Sequence, residues 1–315
     1  MKPSVLMLAP ARPSAMERLA RDYDLLRLDE AEDRDAFLDR HGATCRAIVT
    51  HGHKTIDDAL LDRLPALEIV SCSSAGYDAF DVDALARRGI RLTNASPALA
   101  QEVADMAMLL AAAGWRRLVE ADAWVRSGDW ARQGEFPLRR GLRGRTLGIV
   151  GMGTIGQRVA DLAGAFGVNV AYWNRSERQV EAVYHADLVD LARASDILIV
   201  IVAGGEGTRH LISAPVIAAL GPEGLLVNVA RGSVVDEEAL ITALQDGTLG
   251  AAALDVFASE PEADPRFAAM ANVTLSPHLG SATVESREAM SALMVDNLDA
   301  HFAGRPLLSE VALAR

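Results

Sequence analysis

Three sets of residues in this 315-residue chain have the types and spacing to do chemistry. The first is Gly151-Met152-Gly153-Thr154-Ile155-Gly156, which follows an apolar run (Thr146–Val150) and opens a helical pattern (Ile155–Phe166). In that setting one glycine makes a tight turn, one lets backbone approach a diphosphate, and one lets helix pack on strand. Unpaired amides and the positive end of the helix dipole would face the phosphates. A second strand ends about twenty residues on, as this dinucleotide fingerprint requires. The second set is Asn174-Arg175-Ser176 at that strand's tip, where a carboxylate would take the ribose 2′-hydroxyl. Here there is no acid. Arg175 and Ser176 offer donors suited to a 2′-phosphate, so NADP(H) is expected as the preferred cofactor and NAD(H) as the alternative.

The third set lies at or just past the ends of later apolar runs: Asn228-Val229-Ala230-Arg231-Gly232, Asp255 through Glu260-Pro261, and Ser276-Pro277-His278-Leu279-Gly280. Open α/β sheets place their ligand crevice at such carboxyl ends. An arginine, a glutamate and a histidine there are candidates for anion binding and proton transfer.

The elements that must position these residues alternate along the chain. Val5–Leu8, Asp24–Leu28, Ala47–Thr50, Ile69–Cys72 and Arg91–Thr93 read as strands. Helical patterns fall at Ala15–Arg21, Ala31–Arg40, Ile56–Arg63 and Val82–Arg88. Ser96-Pro97 reads as a cap and first-turn proline before an apolar helix over Leu99–Val119. A less regular stretch, 120–143, carries Trp124 and Trp130 as packing or interface residues. A second series follows, with strands at Thr146–Val150, Val168–Trp173, Ile197–Val202, Leu225–Val229, Ala251–Val256 and Val273–Ser276, then a long helix over Thr283–Phe302. The pattern predicts α/β architecture with parallel, doubly wound sheets.

Composition narrows the partners. The chain has 31 Lys plus Arg against 43 Asp plus Glu, a net charge of −12. That balance argues against nucleic acid or an anionic membrane. No apolar run reaches the roughly 18 residues of a spanning helix. Lys2 and Lys54 are the only lysines, so any fixed anion site must be built from arginines and backbone amides. Cys45 and Cys72 read as reduced and structural, and a cytoplasmic location is expected. His51 and His53 would share a face on a strand, but no cysteine or carboxylate cluster accompanies them, so no metal site is expected. His51 is instead a candidate for lining a substrate cleft.

In order and over nearly the whole length, these motifs resemble the D-isomer-specific 2-hydroxyacid dehydrogenases. Ser74-Ala75-Gly76-Tyr77-Asp78 with Asp81, Asn94–Leu110 with Val103-Ala104-Asp105, the glycine loop, Ala230–Asp236, Glu260 and His278 carry the resemblance. The tip at Arg175 is similar to that of the NADPH-preferring glyoxylate/hydroxypyruvate or hydroxyphenylpyruvate reductases. The resemblance implies a Rossmann cofactor domain at 99–283 and a flavodoxin-like substrate domain built from 1–98 and 284–315, with a cleft between. It implies that Arg231 holds the substrate carboxylate and keto oxygen, that His278 is the acid–base, and that Glu260 orients the ring and favours imidazolium. Amides of Ala75 and Gly76 would bind the carboxylate. Cofactor contacts would come from the glycine loop, Asn174, Arg175, Ser176, Val229, Ala230, Arg231, Asp255, His278 and Gly280, with Asp255 on the nicotinamide carboxamide. A homodimer through 99–143 is also implied. The expected reaction is reduction of a small 2-ketoacid to a D-2-hydroxyacid. The competing expectations are a cofactor-sensing corepressor like the C-terminal-binding proteins, or a reductase for bulkier 2-ketoacids such as hydroxyphenylpyruvate. A short-chain dehydrogenase is excluded, because no tyrosine has a lysine four residues on. One departure from the family is Ala203-Gly204-Gly205-Glu206-Gly207-Thr208 in place of Pro-Leu-Thr, whose glycines should loosen a cofactor-side loop.

Overall fold

Strands form where apolar, β-branched runs sit between polar turns, and here the central runs are buried on both faces. The computed structural model describes residues 2–313, so positions 1, 314 and 315 of the expected substrate domain lie outside the described residues. The chain divides into two units, Met1–Leu99 with Thr283–Arg315, and Ala100–Ala282.

The first unit carries β1 (Ser4–Met7), α1 (Pro13–Asp22), β2 (Asp24–Arg27), α2 (Arg34–His41), β3 (Ala47–Thr50), α3 (Asp58–Asp62), β4 (Ile69–Cys72), α4 (Val82–Arg88) and β5 (Arg91–Thr93). All strands pair in parallel in the order β2-β1-β3-β4-β5, the flavodoxin-like arrangement. Asp33, Asp57 and Asp81 accept first-turn amides and so start α2, α3 and α4.

The unit boundary falls within α5 (Ser96–Trp115). Ser96 lies inside this helix rather than capping it; Asn94 Oδ1 accepts the Ser96 N–H at 3.2 Å. The expected continuation to Val119 breaks at Arg117, whose φ is 52°. Its guanidinium reaches the carbonyls of Gly250 at 3.0 Å and Ala271 at 3.3 Å, which holds the backbone in this uncommon region. Two short helices, α6 (Leu118–Arg126) and α7 (Asp129–Gln133), follow.

The second unit then runs β6 (Thr146–Val150), α8 (Thr154–Phe166), β7 (Asn169–Trp173), β8 (Val183–His185), α9 (Leu188–Ala194), β9 (Ile197–Val200), α10 (Ala214–Leu220), β10 (Leu225–Asn228), α11 (Glu237–Asp246), β11 (Ala251–Leu254), α12 (Pro265–Ala268) and β12 (Val273–Leu275). Its seven parallel strands lie in the order β12-β11-β10-β9-β6-β7-β8. The direction of winding reverses between β6 and β9, and ligands bind at the strand carboxyl ends of such a switch point. β8 is an edge strand absent from the sequence reading, being three residues long and half-exposed. One apolar core joins β9, β10 and β11 to α9, α10 and α11 through residues such as Leu198, Val200, Leu226, Ile217 and Leu240.

The final helix, α13 (Val284–Phe302), returns to the first unit. Met294, Val295 and Leu298 pack on Val5, Met7, Val49 and Ile69. Among the described residues no helix is long and apolar enough to cross a membrane.

Candidate active site

The glycine loop is built as a backbone cradle. Gly151 takes φ 108°, and a Cβ on Gly156 would stand 2.2 Å from the Gly151 carbonyl oxygen, so both positions exclude a side chain. Around Gly153 a Cβ would meet nothing within 4 Å. Gly153 precedes α8 and provides no side-chain acceptor to the helix, leaving the first-turn amides of Thr154, Ile155 and Gly156 available to an anion. Met152 is buried beneath. These residues fit a dinucleotide diphosphate.

At the tip of β7 the carbonyl of Asn174 accepts the Tyr184 hydroxyl at 3.3 Å, and Asn174 Nδ2 donates to the Ser176 carbonyl at 3.2 Å. Tyr172 Oη donates to the Arg178 carbonyl at 3.0 Å and accepts the Arg178 N–H at 2.8 Å. Tyr184 lies in β8, so the unforeseen strand helps fix this loop. Arg175 and Ser176 are exposed. The Arg175 guanidinium lies over Gly207, where a Cβ would be 3.3 Å from Nη2. The glycine-rich 203–208 loop is closed by a 3-10 turn at Glu206–Thr208, and Thr208 Oγ1 donates to the carbonyls of Ala203 at 2.8 Å and Gly205 at 3.1 Å.

Arg231, Glu260 and His278 follow β10, β11 and β12 respectively, at adjacent strand ends of one sheet. His278 Nδ1 and Glu260 Oε2 are 2.7 Å apart, and Glu260 Oε1 accepts the Phe257 N–H at 3.0 Å. Burial pushes the Glu260 carboxyl up, but the His278 hydrogen bond, the Phe257 amide and the charges of His278 and Arg231 outweigh it. The net result lies below the usual glutamate range. The two side chains stay 34% and 32% exposed, so a small solute can reach them. Glu260-Pro261 is a cis peptide. Arg231 Nη1 donates to the Ala230 carbonyl at 2.7 Å, while Asn228 accepts the Ala230 N–H and donates to the Arg231 carbonyl, both at 3.0 Å. Asn228 thus shapes the turn that presents Arg231. Val229 donates its N–H to Val200 within the sheet.

His278 has a left-handed backbone, φ 56°, which costs of order 1–3 kcal/mol when imposed on a non-glycine residue. Asp255 imposes it. Its carbonyl accepts the His278 N–H at 2.8 Å. Its buried carboxylate accepts Leu279 N–H at 2.7 Å, Ser276 Oγ–H at 2.6 Å and Gly280 N–H at 2.8 Å.

In the first unit, His51 and Ala75-Gly76 follow β3 and β4. A Cβ on Gly52 would fall 1.8 Å from the Gly76 carbonyl oxygen, and Gly52 N–H donates to Ser74 Oγ at 3.2 Å. Asn94 Nδ2 holds the Ala75 carbonyl at 3.1 Å. Among the described residues no protein acceptor takes the Ala75 or Gly76 N–H. Gly52 was not singled out from sequence, and Ser74 and Asn94 entered only as members of stretches that carry the family resemblance. His51 and His53 lie in a turn beyond β3 rather than on a strand, with ring centroids 5.6 Å apart. His51 Nδ1 accepts the His53 N–H at 3.3 Å. Burial, then the charges of His53, Lys54 and Arg287, lower its pKa and favour the neutral ring. Among the described residues no group of three or more metal-ligating side chains is assembled.

A parallel sheet with this switch point, a glycine cradle and an Arg–Glu–His set at its strand ends defines an NAD(P)-dependent oxidoreductase. The profile of the D-isomer-specific 2-hydroxyacid dehydrogenase NAD-binding domain matches residues 106–280. The chain is 43% identical to glyoxylate/hydroxypyruvate reductase A of Arabidopsis thaliana, over 98% of each chain. Among solved structures, a 2-hydroxyacid dehydrogenase from Ketogulonicigenium vulgare Y25 superposes with a TM-score of 0.91 at 44% identity, covering 100% of both chains. An NADPH-dependent glyoxylate/hydroxypyruvate reductase from Sinorhizobium meliloti, solved with NADP and malonate, gives 0.89 at 42% identity, covering 99% of this chain and 97% of that one. The chain belongs to the D-isomer-specific 2-hydroxyacid dehydrogenase family. These relatives favour the enzymatic reading over the corepressor.

Proposed function

We propose that the chain reduces small 2-ketoacids (glyoxylate, hydroxypyruvate or similar) to D-2-hydroxyacids, with NADP(H) preferred and NAD(H) the alternative. The observation that carries this reading is the 2.7 Å contact between His278 Nδ1 and Glu260 Oε2 at neighbouring strand ends. Arg231 grips the substrate carboxylate and keto oxygen with its planar fork. The Ala75 and Gly76 amides donate to the same carboxylate, and His51 lines the substrate site. The nicotinamide, when bound, supplies the hydride that the carbonyl carbon receives. His278 gives its Nε2 proton to the keto oxygen and recovers it in the reverse direction. Glu260, kept ionised, fixes the ring through Nδ1 and stabilises imidazolium.

The first-turn amides of α8 hold the diphosphate, and Arg175 with Ser176 holds the 2′-phosphate. Val229, Ala230, Arg231, Asp255, His278 and Gly280 complete the nicotinamide side. Residues 99–283 bind cofactor; 1–98 with 284–315 bind substrate. A cytoplasmic location suits the buried thiols. A second copy pairs through 99–143, where Trp130 is 61% and Leu138 94% exposed. Sedimentation at micromolar concentration tests this: a dimer is expected, and a monomer contradicts it.

The activity test is a panel of glyoxylate, hydroxypyruvate and hydroxyphenylpyruvate with NADPH and with NADH. Turnover with NADPH exceeding that with NADH is expected. No turnover of any member with either cofactor would overturn the reading and restore a cofactor-sensing role.

A further inference from the structure

α11 opens with two consecutive glutamates that do different things. Glu238 pairs with Arg266 on the surface, as an acid in a first helical turn commonly does. Glu237 turns inward instead. Its Oε1 accepts the Ala258 N–H at 3.2 Å. Partial burial pushes its carboxyl up, the Ala258 amide pulls it down, and with the charges of Asp264 and Glu238 added and Arg266 opposing, the net result lies above the usual glutamate range.

The peptide it holds is the centre of the loop that carries Glu260. Phe257–Ala258 lies flat on Gly232, where a Cβ would be 1.8 Å from Phe257 C and 2.2 Å from Ala258 N. The preceding amide, Phe257 N–H, is held by Glu260 Oε1. Two consecutive peptides are therefore clamped, 256–257 by the glutamate that meets His278, and 257–258 by the residue after Arg231 and by Glu237. We propose that Glu237 is a positioning residue for the acid–base pair: its hydrogen bond to Ala258 fixes the 257–260 loop so that Glu260 meets His278. The inference rests on the reading of Glu260 and His278 given above.

The test compares E237A and E237Q in the full-length protein, with glyoxylate and NADPH. E237Q keeps an oxygen that can accept from Ala258; E237A does not. E237A is expected to lower kcat about tenfold, the size of one lost hydrogen bond to a charged group. NADPH affinity should change less than about twofold, a separation that general destabilisation would not produce. E237Q should restore kcat to within a few-fold of wild type. In an E260Q background the further loss on E237A should largely vanish, because the two act through one loop. If E237A does not fold, E237D carries the test: one methylene shorter, it must show the same kcat loss. Full kcat in E237A or E237D, equal losses in E237A and E237Q, or undiminished loss in the E260Q background would each overturn the role. Failure of the underlying site reading shows separately, as an active H278Q.

Discussion

The backbone carbonyl of Asp255 accepts the N–H of His278 at 2.8 Å, and the same aspartate's carboxylate closes the turn through Ser276, Leu279 and Gly280. A histidine with φ 56° is thus held by a buried residue just past the neighbouring strand. D255A leaves the buried Ser276 hydroxyl and Gly280 N–H and the part-buried Leu279 N–H without their acceptor. A loss of about 3 kcal/mol in unfolding free energy is expected, since stranding such donors costs roughly 1–3 kcal/mol each before relaxation. Urea denaturation checks it, and a loss under about 1 kcal/mol would show that the turn holds itself.

Gly232 makes a second, backbone-level claim. Its missing Cβ would collide with Phe257 and Ala258, neither of which can yield without moving Glu260. G232A should lower kcat/KM by at least about tenfold, as small displacements of catalytic groups do. Steady-state kinetics at saturating NADPH measure it; wild-type kinetics would mean the loop is free to shift.

The pH dependence of stability follows from Glu260. Its folded-state pKa lies below the usual value, so it adds stability that is fully present above its unfolded pKa, about 4.3. That stability is lost as pH falls through the lower folded value. The gap in Tm between wild type and E260Q should therefore be widest near neutrality and close below the ordinary glutamate range. A gap that widens on acidification contradicts the assignment.

Cofactor choice rests on Arg175. R175D replaces a donor for the 2′-phosphate with a carboxylate that repels it and accepts from a ribose hydroxyl. The ratio of kcat/KM for NADPH over NADH should fall by at least about a hundredfold, some 2.7 kcal/mol. An unchanged ratio removes Arg175 from the 2′-phosphate site.

The Arg231, Glu260 and His278 motifs could be singled out because each lies beyond the carboxyl end of an apolar run, and strand ends are where parallel sheets place ligands. The glycine loop was legible because all three glycines were present between strand and helix. Other features left little trace. β8 is too short and too exposed to alternate clearly, so Tyr184's hold on the Asn174 loop was invisible. The break at Arg117 depends on carbonyls more than 130 residues away in the chain, which the local sequence does not reveal. Asp255 was read for a contact with cofactor; that its carboxylate also closes the His278 turn through Ser276, Leu279 and Gly280 was not foreseen. Glu237 resembled any acid at a helix start. Long-range hydrogen bonds and close backbone contacts decide these positions, and residue type does not encode them.

The central claim is tested most directly by the kcat of H278Q with glyoxylate or hydroxypyruvate and NADPH. Glutamine preserves bulk and polarity but cannot deliver the proton. A fall of at least about a hundredfold is predicted, the usual contribution of a general acid. An H278Q enzyme that keeps more than about a tenth of wild-type kcat would contradict the account, because general acids contribute 10²–10⁴-fold.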